Sequence, residues 1–259
     1  MLLPRPCSGQ LLIDELAKRQ RHDRISVRME KKEETWDVEP LPQTARSWPA
    51  KPKGKLTVHL LADTEEVYEV LWRNVTDVQF FEQILLAEAN EHVDAKQFDH
   101  AFDYFIFLHK QFPKLKNLNK SLQRFLYLNA QDCVEDKRDF EAMAILEELY
   151  SRNPKYALSA NAPPVLTVLD QVVERILSKY LEQQDHAATR DLILRMRQSN
   201  YQLPATAKAA ARLEQLASVK RNEARVFIDG NLLREADVAI REMMRIYPPV
   251  KGGRERNSL

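Results

Sequence analysis

Apolar positions along the chain fall into two regimes, and the clearest lies between Leu85 and Leu115. Leu85, Leu86, Ala89 and Val93 recur on one helix face. The short polar run Ala95-Lys96-Gln97-Phe98-Asp99 has room for a tight turn only. Phe98 then plugs the end of a hairpin, and Asp99 is placed to cap a second helix by accepting its free backbone N–H groups. Ala101, Phe102, Phe105, Ile106, Leu108 and Phe112 continue the apolar face. Pro113 lacks a backbone donor and stops the second helix. The stretch predicts two amphipathic helices folded back on each other.

Weaker copies follow. One runs from Tyr127 to Tyr156, with Asp139-Phe140 at the turn, Ala142, Ile145, Leu146 and Leu149 on the second face, and Pro154 as the stop. Another runs from Val172 to Leu203, with His186 in the Phe position, Ala188 near the Ala position, and Pro204 following. The last, from Leu216 to Val250, has Leu233, Ala236 and Pro248 in the three roles. Phe, Ala three residues later and a closing Pro resembles the tetratricopeptide (TPR) signature. The plug positions 98, 140, 186 and 233 are 42, 46 and 47 residues apart, against about 34 for standard TPR units. TPR-like hairpins with longer helices or loops are therefore expected. The resemblance implies an α-solenoid of about four hairpins, whose concave groove suits an extended peptide or a partner helix. Candidate groove residues on the first helices of the hairpins are Asn90, Glu91, Asn129 and Gln131.

Ahead of the helices the period changes to two. Ile25, Val27 and Met29 alternate with polar residues, Lys31–Glu34 supplies a turn, and Trp36, Val38 and Leu41 return before Pro40 and Pro42 end the pairing. Leu56, Val58 and Leu60 alternate again; Ala62–Glu65 turns, and Val67 to Trp72 returns. Val75, Val78, Phe80 and Phe81 lead into the first helix. Two hairpins, forming an open sheet or an SH3-like barrel, are expected to pack on the helices, since so small a sheet needs cover. The predicted fold class is α+β, predominantly α. Residues 1–22 form a tail with a helical turn around Leu11–Leu16, 23–78 the β module, 79–250 the helical repeats and 251–259 a flexible tail or linker. Val165 to Leu177 reads as a helix buried on two sides, Ala205–Ala217 as a thin helix suited to close packing, and Asp229-Gly230-Asn231 as a turn.

Composition narrows the function classes. The chain has 259 residues, 44% hydrophobic and 30% charged, with a formal charge of +1. So small a net charge gives no field to steer nucleic acid. The basic run Lys18–Arg28 is interrupted by Asp23, and Lys51, Lys53 and Lys55 are too few for a continuous stripe. No nucleic-acid partner is expected. No apolar run approaches the ~20 residues of a membrane span, and the opening MLLPRPCSGQ lacks the apolar core of a signal peptide. The chain reads as cytoplasmic as written, or extracytoplasmic (periplasmic) if its start is truncated. Cys7 and Cys133 read as separate thiols, and the sequons at Asn74 and Asn119 carry no weight without a secretory signal. His92, Asp94, Asp99, His100 and Asp103 crowd the first hairpin turn, but none has the HExxH arrangement, and turns gather polar residues. No nucleophile elbow or phosphate-cradling glycine loop occurs. No catalytic residue, metal or cofactor is expected. Trp48, in a proline-bearing loop beside three lysines, is a further candidate partner contact.

The run VYEVLWRNVTDVQFFEQILLAEANEHVDAKQFDHAFDYFIFLHKQFPKL, with Asn153-Pro154 and the closing YPPVKGG, is similar to a region of some large bacterial proteins. In these a β module and TPR-like hairpins precede a solute-binding domain of the peptide ABC-transporter type. The resemblance covers about residues 25–252 and implies an extracytoplasmic setting, with a role in presenting or assembling the binding domain. No signal peptide or solute-binding domain is recognisable in this sequence. Two expectations result. The first is a non-enzymatic scaffold for a protein or peptide partner, or for a second domain of the same polypeptide. The second is the N-terminal accessory part of an extracytoplasmic solute-binding transport protein.

Overall fold

The computed structural model describes residues 9–30, 32–42 and 53–246. Trp48, Cys7, Pro248 and the terminal segments lie outside them. The order of elements is α1 (Gly9–Lys18), β1 (Asp23–Met29), β2 (Lys32–Val38), β3 (Lys55–Leu60), β4 (Asp63–Leu71), a single 3-10 turn (Trp72–Asn74), β5 (Val75–Gln79), then α2 (Phe81–Asp94), α3 (Phe98–Gln111), α4 (Leu118–Glu135), α5 (Asp139–Arg152), α6 (Val165–Glu182), α7 (His186–Gln198), α8 (Pro204–Asp229) and α9 (Leu233–Ile246). The fold is α+β and predominantly α, with a small antiparallel sheet. Two compact units divide the chain within α4, after Phe125.

In the first unit the sheet has the order β4-β3-β2-β1-β5. Ile25, Val27, Val38, Leu56, Val58, Val70, Trp72, Val75 and Val78 bury one face, with Trp36 and Tyr68 packed against it. Only the three residues Trp72–Asn74 connect β4 to β5 at the opposite end of that order. Four strand spacings amount to roughly 19 Å in a flat sheet, and four extended residue steps reach at most about 14 Å. The sheet therefore curls. β5 escaped the reading of alternation because Val75 and Val78 are three apart, a phase that the bulge between Ser26 and Val27 accommodates. The charged residues Lys32–Glu34 belong to β2 rather than to the turn, where Glu30 takes a left-handed conformation (φ 39°).

Sheet and helices in this unit are tied by polar groups. The buried Asp23 carboxylate accepts the Leu41 N–H at 2.7 Å and the Phe81 N–H at 2.8 Å. It thereby satisfies one of the donors left free at the start of α2. The Gln83 side chain accepts the Phe80 N–H. The segment read as a tail carries α1, with Leu16 buried, and Arg19 just after it donates twice to Glu88 of α2 at 2.5 and 2.8 Å. The Tyr104 hydroxyl donates to the same carboxylate. Burial and the Glu88 charge push the Tyr104 hydroxyl up to about 12. Burial works to raise Glu88, but Arg19 and Tyr104 outweigh it and hold the carboxyl below its ordinary value.

Four hairpin turns share one backbone geometry, which the end of α7 repeats at Asn200 (φ 58°) with the Tyr201 N–H donating to Met196. Lys96, Lys137, Gln184 and Asn231 are left-handed, with φ of 57°, 61°, 58° and 57°. The N–H of the next residue reaches back five positions each time: Gln97 to His92, Arg138 to Cys133, Asp185 to Tyr180 and Leu232 to Phe227. These are Schellman closures. The residue three after each helix start is small and buried: Ala101, Ala142, Thr189 and Ala236. This register corrects the phase of the second hairpin: the equivalent of Phe98 is Asp139, not Phe140, which is 53% exposed. The turn read at Asp229-Gly230-Asn231 follows α8, with Asn231 as its left-handed residue and Gly230 at φ −81°. Asp99 lies inside the first turn of α3, behind Gln97 at the N-cap, and caps nothing.

In the second unit α6 packs against α5, α7 and α8. Val165, Val168, Leu169, Val172, Val173, Ile176 and Leu177 are all buried, as an apolar stripe wider than one face requires. The long loop before α6 is pinned where the Tyr127 hydroxyl donates to the Pro163 carbonyl.

Candidate partner-binding groove

Alanines at the start of α8 create a recess beside α6 in the second unit. Pro204 occupies the first helical position, where its missing donor costs nothing. The Asp170 carboxylate of α6 accepts the Ala205 N–H at 2.9 Å, which anchors the first turn of α8 beside the middle of α6. From there the two helices run past each other with Glu174, Leu177, Ser178 and Leu181 facing Lys208, Ala209, Ala211, Arg212 and Gln215. Small side chains on α8 leave a cavity of about 430 Å³ between them. Leu177 and Ala209 form its buried floor. Lys208 bridges to Glu174 at 2.5 Å across the rim, and Arg212 donates to Gln215.

The recess combines an apolar floor with charges of both signs on its rim. The recess holds no pairing of nucleophile and base. Its one bridged acid, Glu174, is spent on Lys208.

The residues singled out from the sequence fall elsewhere. Asn90 and Glu91 are on α2 in the first unit; Asn90 is half-buried and donates to the Leu86 carbonyl of its own helix, and Glu91 is exposed. Asn129 and Gln131 are half-buried on α4, where Asn129 accepts from the Cys133 thiol at 3.8 Å. Trp48 lies outside the described residues. The groove residues were missed because an alanine run reads as close packing. Ala205, Ala209 and Ala217 are indeed buried, but Ala211 faces the opening.

At the first hairpin turn His92 and His100 stack at 5.5 Å, and His92 Nδ1 lies 2.7 Å from Gln97 Oε1. Asp94 is paired with Arg124. No group of three His, Cys, Asp or Glu side chains is placed to hold a metal among the described residues. Likewise, no helix among them is long and apolar enough to cross a membrane.

No protein-family model matches the sequence, and no curated protein matches it.

Proposed function

We propose that the chain is a non-enzymatic protein-interaction scaffold whose TPR-like hairpins take an extended peptide into the groove between α6 and α8. The observation that carries this reading is the recess itself, open and apolar-floored, between helices whose turns repeat one geometry. Stacked hairpins with such a groove suit extended ligands, which gain affinity by burying alternate side chains. A second reading, an accessory part of an extracytoplasmic solute-binding transport protein, rests on the likeness of Val67–Leu115 and its neighbours to such proteins. In that case the groove would hold a segment of the same polypeptide.

Selection of ten-residue peptides from a random display library tests the proposal. The bait is the full chain, and counter-selection uses Ala211→Trp and Ser178→Trp, both at exposed positions where an indole fills the groove. Peptides that bind the native chain and lose at least tenfold with either variant support it. Peptides indifferent to both variants, or no enrichment at all, overturn it.

A further inference from the structure

The hairpin formed by the second half of α8 and by α9 is built inside out. Its buried positions are mostly alanine: Ala217, Ala224, Ala236 and Ala239, with Ile246. Eight of the fourteen exposed large apolar side chains among the described residues lie between Val219 and Met244. Folding by itself would bury the large groups and expose the small ones, because burial is worth more for them.

The exposed groups have an order. A cavity lined by Lys220, Phe227, Val238 and Glu242 marks one side of the hairpin. At 100° per residue, going round α8 from Phe227 past buried Ala224 leads to Ile228 and Arg221. Going round α9 from Glu242 past buried Ala239 and Ala236 leads to Ile240 and Leu233. Ile228, Leu233, Ile240 and Met244 therefore share the side away from that cavity, and they are 50%, 66%, 37% and 66% exposed. The first hairpin shows what such a face meets. There Phe98, Phe102 and Phe105 of α3 pack on Phe125 of the following helix, with ring centroids 5.2 to 6.4 Å away. By the shared turn register, their counterparts on α9 are Leu233, Asp237 and Ile240.

Charge selects the kind of helix. Arg221 and Arg225 edge this face in the same register as Ile228, and neither makes an ion pair among the described residues. Asp237, the acid on the α9 stripe, is already paired with Arg241 at 2.9 Å. A second copy docked two-fold with α8 against α8 would bring arginines against arginines. We infer that the α8–α9 face docks an acidic amphipathic helix of a protein partner, laid along the stripe Leu233–Ile240–Met244 with its carboxylates on Arg221 and Arg225. This surface is separate from the α6–α8 groove and stands without it.

The test uses the full chain and two fluorescein-labelled 18-residue helical peptides with the same leucine stripe, one flanked by glutamates and one by lysines. Anisotropy titrations are expected to give the glutamate peptide at least tenfold the affinity of the lysine peptide. Met244→Glu is expected to weaken it at least tenfold, with helicity by circular dichroism unchanged. Met244→Gln serves if that variant loses helicity. Ala211→Trp, in the groove, and Val67→Glu, on β4, are expected to leave binding intact. Equal affinity for both peptides, no binding of either, or full binding by the Met244 variants overturns the inference. So does a dimer in sedimentation equilibrium that Met244→Glu dissociates, which would assign the face to a second copy.

Discussion

Asp23 joins two stretches of chain 18 and 58 residues away through a pair of buried hydrogen bonds. Its carboxylate is fully buried, so removing it strands two backbone donors without water. Each such donor costs about 1–3 kcal/mol. Asp23→Ala is therefore expected to destabilise the first unit by about 3 kcal/mol, read as a lower urea midpoint by tryptophan fluorescence. Asp23→Asn, which keeps one carbonyl oxygen, is expected to lose less. Equal stability of wild type and Asp23→Ala would show that the two donors find other partners. The sequence placed Asp23 correctly at the start of a strand. Nothing local revealed its role, because both partners are backbone groups brought in by the tertiary fold.

At the scale of the element, most of the helices and four of the five strands were legible from periodicity alone, and what was missed has local causes. β5 is five residues long and interrupted in phase by a bulge. The phase of the second hairpin was misread by one residue because Phe140 is the larger group beside Asp139. Its buried counterpart, Ala142, is the residue that counts for packing. The groove was hidden for a related reason, since alanine fits close packing and open space equally well. The turns offer a direct check on the register. Lys137 holds a left-handed conformation that a side chain opposes and glycine adopts freely. Lys137→Gly is expected to raise stability by about 0.5–1 kcal/mol in thermal unfolding. The same change at Glu135, in the last turn of α4, is expected to lower it by a similar amount. A loss in both would contradict the turn geometry.

Across the whole molecule, one carboxylate in each unit is expected to respond to acid with opposite sign. Glu88 in the first unit is held below its ordinary value, so its bridge contributes fully above the unfolded carboxylate value, about 4.3, and is lost as pH falls through the lowered folded value. Glu147 in the second unit is raised by burial, against the pull of Arg195. Its folded form favours the proton, so a penalty present at neutral pH is relieved as pH falls through that raised value. Hydrogen exchange, corrected for intrinsic rates, is expected to show α5 and α7 gaining protection as pH falls from neutral toward the ordinary carboxylate value, about 4.3. Glu147→Gln removes that gain, and the helices around Glu88 lose protection only below about pH 4. Parallel loss in both units would refute the assignment. The claim that matters most is that the helical part of the chain exists to hold another polypeptide. Methyl NMR of the full chain, titrated with a peptide selected on it, addresses that claim most directly. The expected result is saturable shifts at Leu177, Leu181, Ala205 and Ala209, unchanged by Met244→Glu and abolished by Ala211→Trp. Shifts confined to the first unit, or none at saturating peptide, would contradict it.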